Sequence, residues 1–131
     1  MISNSDLIDI ARERLIDAET LLNAQRFDGA VYLCGYSLEI ALKHKICQTL
    51  NWNGFPSTTK EFEKYKSLKT HDLDVLLSFT GNETNLKATY LAEWSAVSLW
   101  SPEARYNPIG AINSADATFM INSTKTLINI L

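Results

Sequence analysis

Apolar residues recur every three to four positions along most of the chain, the spacing of helices that bury one face. Leu7, Ala11, Leu15, Ala18 and Leu22 predict a first helix, with Ser3 or Ser5 as N-cap, Asp6 and Asp9 near its positive end, and a stop near "NAQRFD". Asp28 is the candidate cap of a second helix running to about Leu50, where "NWNGFPS" breaks it with Asn, Gly and Pro. "TKEFEKYKSLK", residues 59–69, is charged, with Phe62 and Tyr65 one turn apart, and predicts a short exposed helix or turn. Thr70 is the expected cap of "HDLDVLLSF", in which Leu73, Leu76 and Leu77 supply the apolar face, ending near Gly81. Leu86, Tyr90, Trp94 and Val97, beside a second stripe of Ala88, Ala92, Ala96 and Trp100, predict a fourth helix from about Asn85 to Trp100. After the interruption "SPEARYNPIGAIN", Asn113 and Asp116 resemble a capping box, and Ala117, Met120, Thr124, Leu127 and Leu131 carry a last helix. With no repeat or linker, the expectation is one all-α domain over 1–131, an up-and-down bundle of four to five helices.

The second helix departs from the amphipathic pattern. Tyr32, Tyr36, Glu39 and Lys43 fall within about 60° of one another at helical spacing, Ala30, Cys34, Leu38, Ala41 and Lys45 lie nearly opposite, and Leu33, Ile40 and Cys47 fill a further face. A helix apolar on two sides touches several neighbours, and Gly29 and Gly35 allow close approach, so this helix is read as central. Glu39 and Lys43 form an i, i+4 pair that contributes only about 0.2–0.5 kcal/mol on an exposed surface. A carboxylate among apolar positions needs a further cation to stay charged, and Arg105 is the expected partner.

Composition narrows the class. The 131 residues are 46% hydrophobic and 21% charged with 5 Gly and 3 Pro, too apolar for disorder and too poor in breakers for a loop-rich sandwich. A net charge of −3 excludes a global basic field for nucleic acid, so any such contact must be local. The N-terminus lacks a basic start followed by an apolar run, and no uncharged apolar stretch is of membrane-spanning length; a cytoplasmic protein without membrane contact is expected. Cys34 and Cys47 stand 13 positions apart on one predicted helix, about 20 Å at helical rise, too far to pair. They are read as buried thiols; neither they nor the scattered histidines support a metal site, and no cofactor is expected.

"LLNAQRFDGAVYLCGYSLEIALKHKI", then "THDLDVLL", then "ARY" ahead of the final helix, together resemble the HEPN domain, a small helical domain of prokaryotic defence and toxin–antitoxin systems. The resemblance covers about Leu15 to Leu131 and implies a helical bundle that dimerises, with a cleft near the dimer axis. Members act as metal-independent ribonucleases, bind nucleotides, or pair with a nucleotidyltransferase antitoxin. The family's ribonuclease motif is an Arg followed four to six residues later by a His; Arg105 matches the arginine, but the window holds Gly110, Ala111 and Ile112. The ordinary side chain for proton transfer near neutrality is therefore missing from that place. His71 is expected to face solvent one residue inside its helix, and His44 to sit at a core edge or interface beside Leu33, Ser37 and Ile40. The expected function is a homodimer that binds a nucleotide or RNA phosphate near Arg105, with Tyr106, Glu39, Lys43 and Tyr36 as ligand-binding residues and Arg105 as the one catalytic candidate. The alternatives are a ribonuclease toxin with a displaced general base and an interaction module for a nucleotidyltransferase. Dimerisation is expected through the apolar faces of the second helix and through Trp94 and Trp100.

Overall fold

Ser3 has extended backbone and its hydroxyl accepts from the Asp6 amide at 3.2 Å, so it caps α1, Asn4–Asn23, as the sequence predicts. The computed structural model describes residues 1–131. Gln25 turns the chain at φ 61°, and α2, Phe27–Leu50, follows directly. It closes on Asn51 in the left-handed region at φ 58°, a conformation asparagine tolerates better than most residues.

α2 is the central element, packed against α1, α7, α4 and the turn that carries Arg105. Ser37 donates to the Ala11 carbonyl at 2.6 Å and ties α2 to α1. Cys34 Sγ, 3.1 Å from Thr124 Oγ1, ties it to α7, Ser114–Ile130. Burial pushes the Cys34 thiol up to about 12, so it behaves as a small apolar side chain with a weak donor. Both cysteines are free and buried.

Around this three-helix core the sequence expectations need correction. Asp28 does not cap α2; Arg26 occupies that position, and Asp28 reaches across to the loop before α7, accepting from the Gly110 amide at 2.7 Å and the Ile112 amide at 3.3 Å. Asp72, not Thr70, caps α4, Leu73–Ser78, by accepting from the Val75 amide at 3.2 Å. The fourth predicted helix is two: α5, Glu83–Thr89, and α6, Leu91–Val97, broken at Tyr90, whose φ and ψ of −122° and 41° leave the helical region. The charged segment 59–69 holds α3, Thr59–Phe62, closed by a full capping box, and a 3₁₀ turn, Lys66–Leu68. A two-residue pairing of β1, Ile2–Ser3, with β2, Gly54–Phe55, is outside the helical pattern altogether; an added Cβ on Gly54 would collide with the Ile2 carbonyl. Seven helices thus cover a chain that is 71% helical and 3% strand, an all-α fold.

Gly35 shows why the second helix needs small residues. An added Cβ there would collide with the Trp100 indole, which packs against α2 at that position. Trp94 and Trp100 are both buried inside the chain at 3% and 7% exposure, so they do not form the external face expected of them. The apolar faces of α2 are likewise consumed by its own neighbours. No helix is long and apolar enough to cross a membrane.

Candidate functional site

Leu38, Ala41 and Leu42 carry α2 through the interior, and Glu39 goes with them, leaving its residue 2% exposed. A carboxylate removed from water needs a partner for each oxygen. Glu39 Oε1 stands 2.6 Å from His71 Nδ1, and Oε2 accepts from Lys43 Nζ at 3.3 Å. Lys43 is steadied on its other side by the Phe55 ring, 5.3 Å from the ring centre.

The long-range partner of Glu39 is therefore His71, and the expected contact with Arg105 is not made. Arg105 is occupied by its own turn, Pro102–Tyr106: it donates to the Pro102 carbonyl at 3.3 Å, approaches Glu103 at 4.0 Å, and lies over the Tyr106 ring at 4.7 Å. The hydrogen bond with Tyr106 raises the Arg105 pKa further, with Tyr106 and Glu103 charge adding to it. His71 stands outside α4, which begins two residues later, rather than in its first turn, and reaches Glu39 with one edge of a largely exposed ring. A carboxylate against Nδ1 places the neutral ring's proton on that nitrogen and leaves Nε2 open. The His71 side chain is 59% exposed, against 3% for Glu39.

His71 borders a cleft of about 610 Å³. Tyr36 and His71 form one side with Asp72 and Asp74, and the segment from Ser98 through Arg105 forms the other. Tyr36 stands edge-on to Trp100 with centroids 4.9 Å apart and to Tyr32 at 5.3 Å. Burial, then the hydrogen bond with Tyr32, raises the Tyr36 pKa, while Arg105 pulls the other way; the phenol keeps its proton. Asp74 is committed to structure, accepting from Trp94 Nε1 at 2.9 Å and pairing with Lys87 at 3.3 Å. Asp72 spends one oxygen on its cap. Arg105 also borders a smaller cleft of about 200 Å³ with Tyr32, Ile109 and Ile112.

Of the residues chosen from sequence, Tyr36 and Arg105 share the main cleft, and Glu39 lies buried behind its His71 edge. Lys43 anchors Glu39 and is not part of the wall. Tyr106 is 72% exposed and acts on the cleft through Arg105. Gly110, Ala111 and Ile112 form the loop that Asp28 clamps, with Gly110 at φ 81°. His44 lies elsewhere, half-buried, its pKa lowered first by burial and then by Arg12 and Lys45. His71 is exposed, as the sequence suggested; its contact with Glu39 was not expected, and the signal for it was the unpaired need of Glu39 for a cation. No cluster of His, Cys, Asp and Glu is arranged to hold a metal ion.

The fold and site define an all-α protein with a polar cleft lined both by Arg105 and by the imidazole of a carboxylate–imidazole pair. No family model, curated protein or solved structure matches the chain.

Proposed function

We propose that the chain is a HEPN-like protein that binds the phosphate of a nucleotide or of RNA in the cleft beside Arg105, as a homodimer in a toxin–antitoxin or defence setting, with a nucleotidyltransferase antitoxin as its partner. The observation that carries this reading is the state of Arg105. Its side chain is 43% exposed, its nearest carboxylate is 4.0 Å away, and its guanidinium plane rests on Tyr106 above an open cleft. A planar fork with donors to spare suits a phosphate, and the aromatic residues around it suit a base. The carboxylates of Asp72, Asp74 and Glu103 on the same walls favour one phosphate over a long polyanionic track.

Thermal unfolding of wild type and Arg105→Ala with nucleoside mono-, di- and triphosphates tests it. A rise in melting temperature that Arg105→Ala abolishes, with the variant still folded, supports the reading. No rise with any nucleotide or short RNA refutes it.

A further inference from the structure

We propose that a second cleft, beyond the C-terminal end of α2, binds single-stranded nucleic acid, with bases against Trp52 and Tyr65 and phosphates against the lysines beside them. No residue of this cleft lines either cleft that Arg105 borders, so the inference stands apart from the phosphate-binding reading.

The cleft holds about 450 Å³, and its wall includes Asn51, Trp52, Asn53, Pro56, Glu61 and Tyr65. The two rings meet edge to face with centroids 4.7 Å apart, Tyr65 exposed and Trp52 half-buried, so aromatic surface is left in contact with water. Their backbones are fixed from both sides. The Trp52 amide donates to the Cys47 carbonyl at 2.8 Å, and the Trp52 carbonyl accepts from Asn4 Nδ2 at 2.7 Å. The Tyr65 amide donates to the Phe62 carbonyl at 2.9 Å, and the Phe62 ring stands edge-on to the buried Phe55. A platform held in this way loses little freedom when a ligand settles on it.

Charge is concentrated at the same place. Of the 12 Lys and Arg in the chain, Lys60, Lys64, Lys66 and Lys69 lie within residues 59–69; all four are exposed and none is in an ion pair. Lys60 adjoins Glu61 in the chain, and Lys64 and Lys66 adjoin Tyr65, so three of them stand one position from a wall residue. Glu61 does not oppose them: its carboxylate pairs with the Met1 amine at 2.9 Å and accepts from the Ser57 and Thr58 amides. Packing accounts for Phe62 and Leu68, which lie against the core, and leaves an exposed ring between two unpaired lysines without a purpose. Lysines supply a salt-sensitive attraction to phosphates, and aromatic rings supply stacking for bases of any sequence. An acidic peptide would engage the lysines and has no flat bases for the rings, which is why nucleic acid is the occupant the wall favours.

The test titrates the full chain carrying Arg105→Ala, which takes the other clefts' arginine out of the measurement, with labelled oligothymidylate and oligouridylate of about 12 nucleotides. Polyglutamate serves as a polyanion without bases. Wild type mapped by amide shifts gives the same reading without that substitution. The expected result is binding of both oligonucleotides with shifts centred on residues 51–53 and 60–66, and a log K against log salt slope of about −2, as three phosphate contacts give on a single strand. Tyr65→Ala is expected to weaken binding about tenfold or more, and Tyr65→Phe to restore it, because the ring and not the hydroxyl stacks. Lys60→Gln, Lys64→Gln and Lys66→Gln together flatten the salt dependence, with helix content unchanged by circular dichroism. Absence of binding at low salt overturns the proposal, as do shifts that lie elsewhere on the chain. Equal affinity of Tyr65→Ala, or polyglutamate binding as tightly as the oligonucleotides, also overturns it, the latter in favour of an acidic peptide. None of these outcomes depends on whether nucleotides bind beside Arg105.

Discussion

Gly35 is the position where a single atom decides the packing. The Trp100 indole occupies the space an alanine Cβ would need, and a ring buried to 7% exposure has no room to withdraw. Gly35→Ala is expected to lower stability by about 1–3 kcal/mol through overpacking, and more if the cleft wall opens; urea unfolding followed by tryptophan emission measures it. The thiol of Cys34 makes a second prediction. Its folded pKa, pushed by burial from 9.0 to about 12, lies above the unfolded value, so the stability it protects is complete below pH 9 and falls as pH rises toward 12. Wild type should lose stability over that window more steeply than Cys34→Ala, and alkylation of Cys34 at neutral pH should follow unfolding rather than direct attack. His44 works in the opposite direction. Its pKa is lowered from 6.5 by burial and by Arg12 and Lys45, so its contribution is present above pH 6.5 and lost on acidification, a slope that His44→Gln should flatten in denaturation series.

At the scale of elements, the site depends on a turn that is not regular helix. The 3₁₀ turn Pro102–Tyr106 is started by Ser101, which accepts from the Glu103 amide at 3.3 Å, and the loop after it is held by the two amide bonds to Asp28. Asp28→Ala leaves those amides to solvent and frees the segment that presents Arg105. The expected outcome is a loss of about 1–2 kcal/mol in stability, and a weaker nucleotide-induced rise in melting temperature than that loss alone explains; thermal unfolding with and without nucleotide separates the two. Asp28 was legible as a residue at the start of α2, where a carboxylate suits the positive end of a helix. Its bonds to residues 82 and 84 positions away were not, because no local spacing encodes them. The split between α5 and α6 was hidden for a related reason. The apolar stripe runs on across Tyr90, so the pattern reads as one helix while the backbone bends to seat Trp94 against Asp74.

For the whole molecule, the surface left over differs from the one periodicity suggested. With Trp94 and Trp100 inside, the large apolar side chains near the cleft that face solvent are Leu99 at 94% exposure and Ile109 at 96%, joined by Tyr106. The proposed dimer is expected to cover these residues. Light scattering of wild type should then give twice the chain mass, and Leu99→Asp combined with Ile109→Asp should give the monomer with its helix content intact; a monomeric wild type at working concentration refutes the dimer.

Helical class, the caps Ser3 and Asn113, the central place of α2 and the buried state of both cysteines follow from the order of residues alone, because they depend on spacings of three and four along one chain segment and on local hydrogen bonds. Which cation reaches Glu39 was decided only in three dimensions. His71 lies 32 positions from it, just outside a helix whose cap is two residues later than expected, and from there its Nδ1 reaches Glu39 while Arg105 stays with its own turn. Periodicity states which face of a helix is buried; where the irregular segments between helices set down their side chains depends on how the helices cross, and the candidate site is built mostly from those segments.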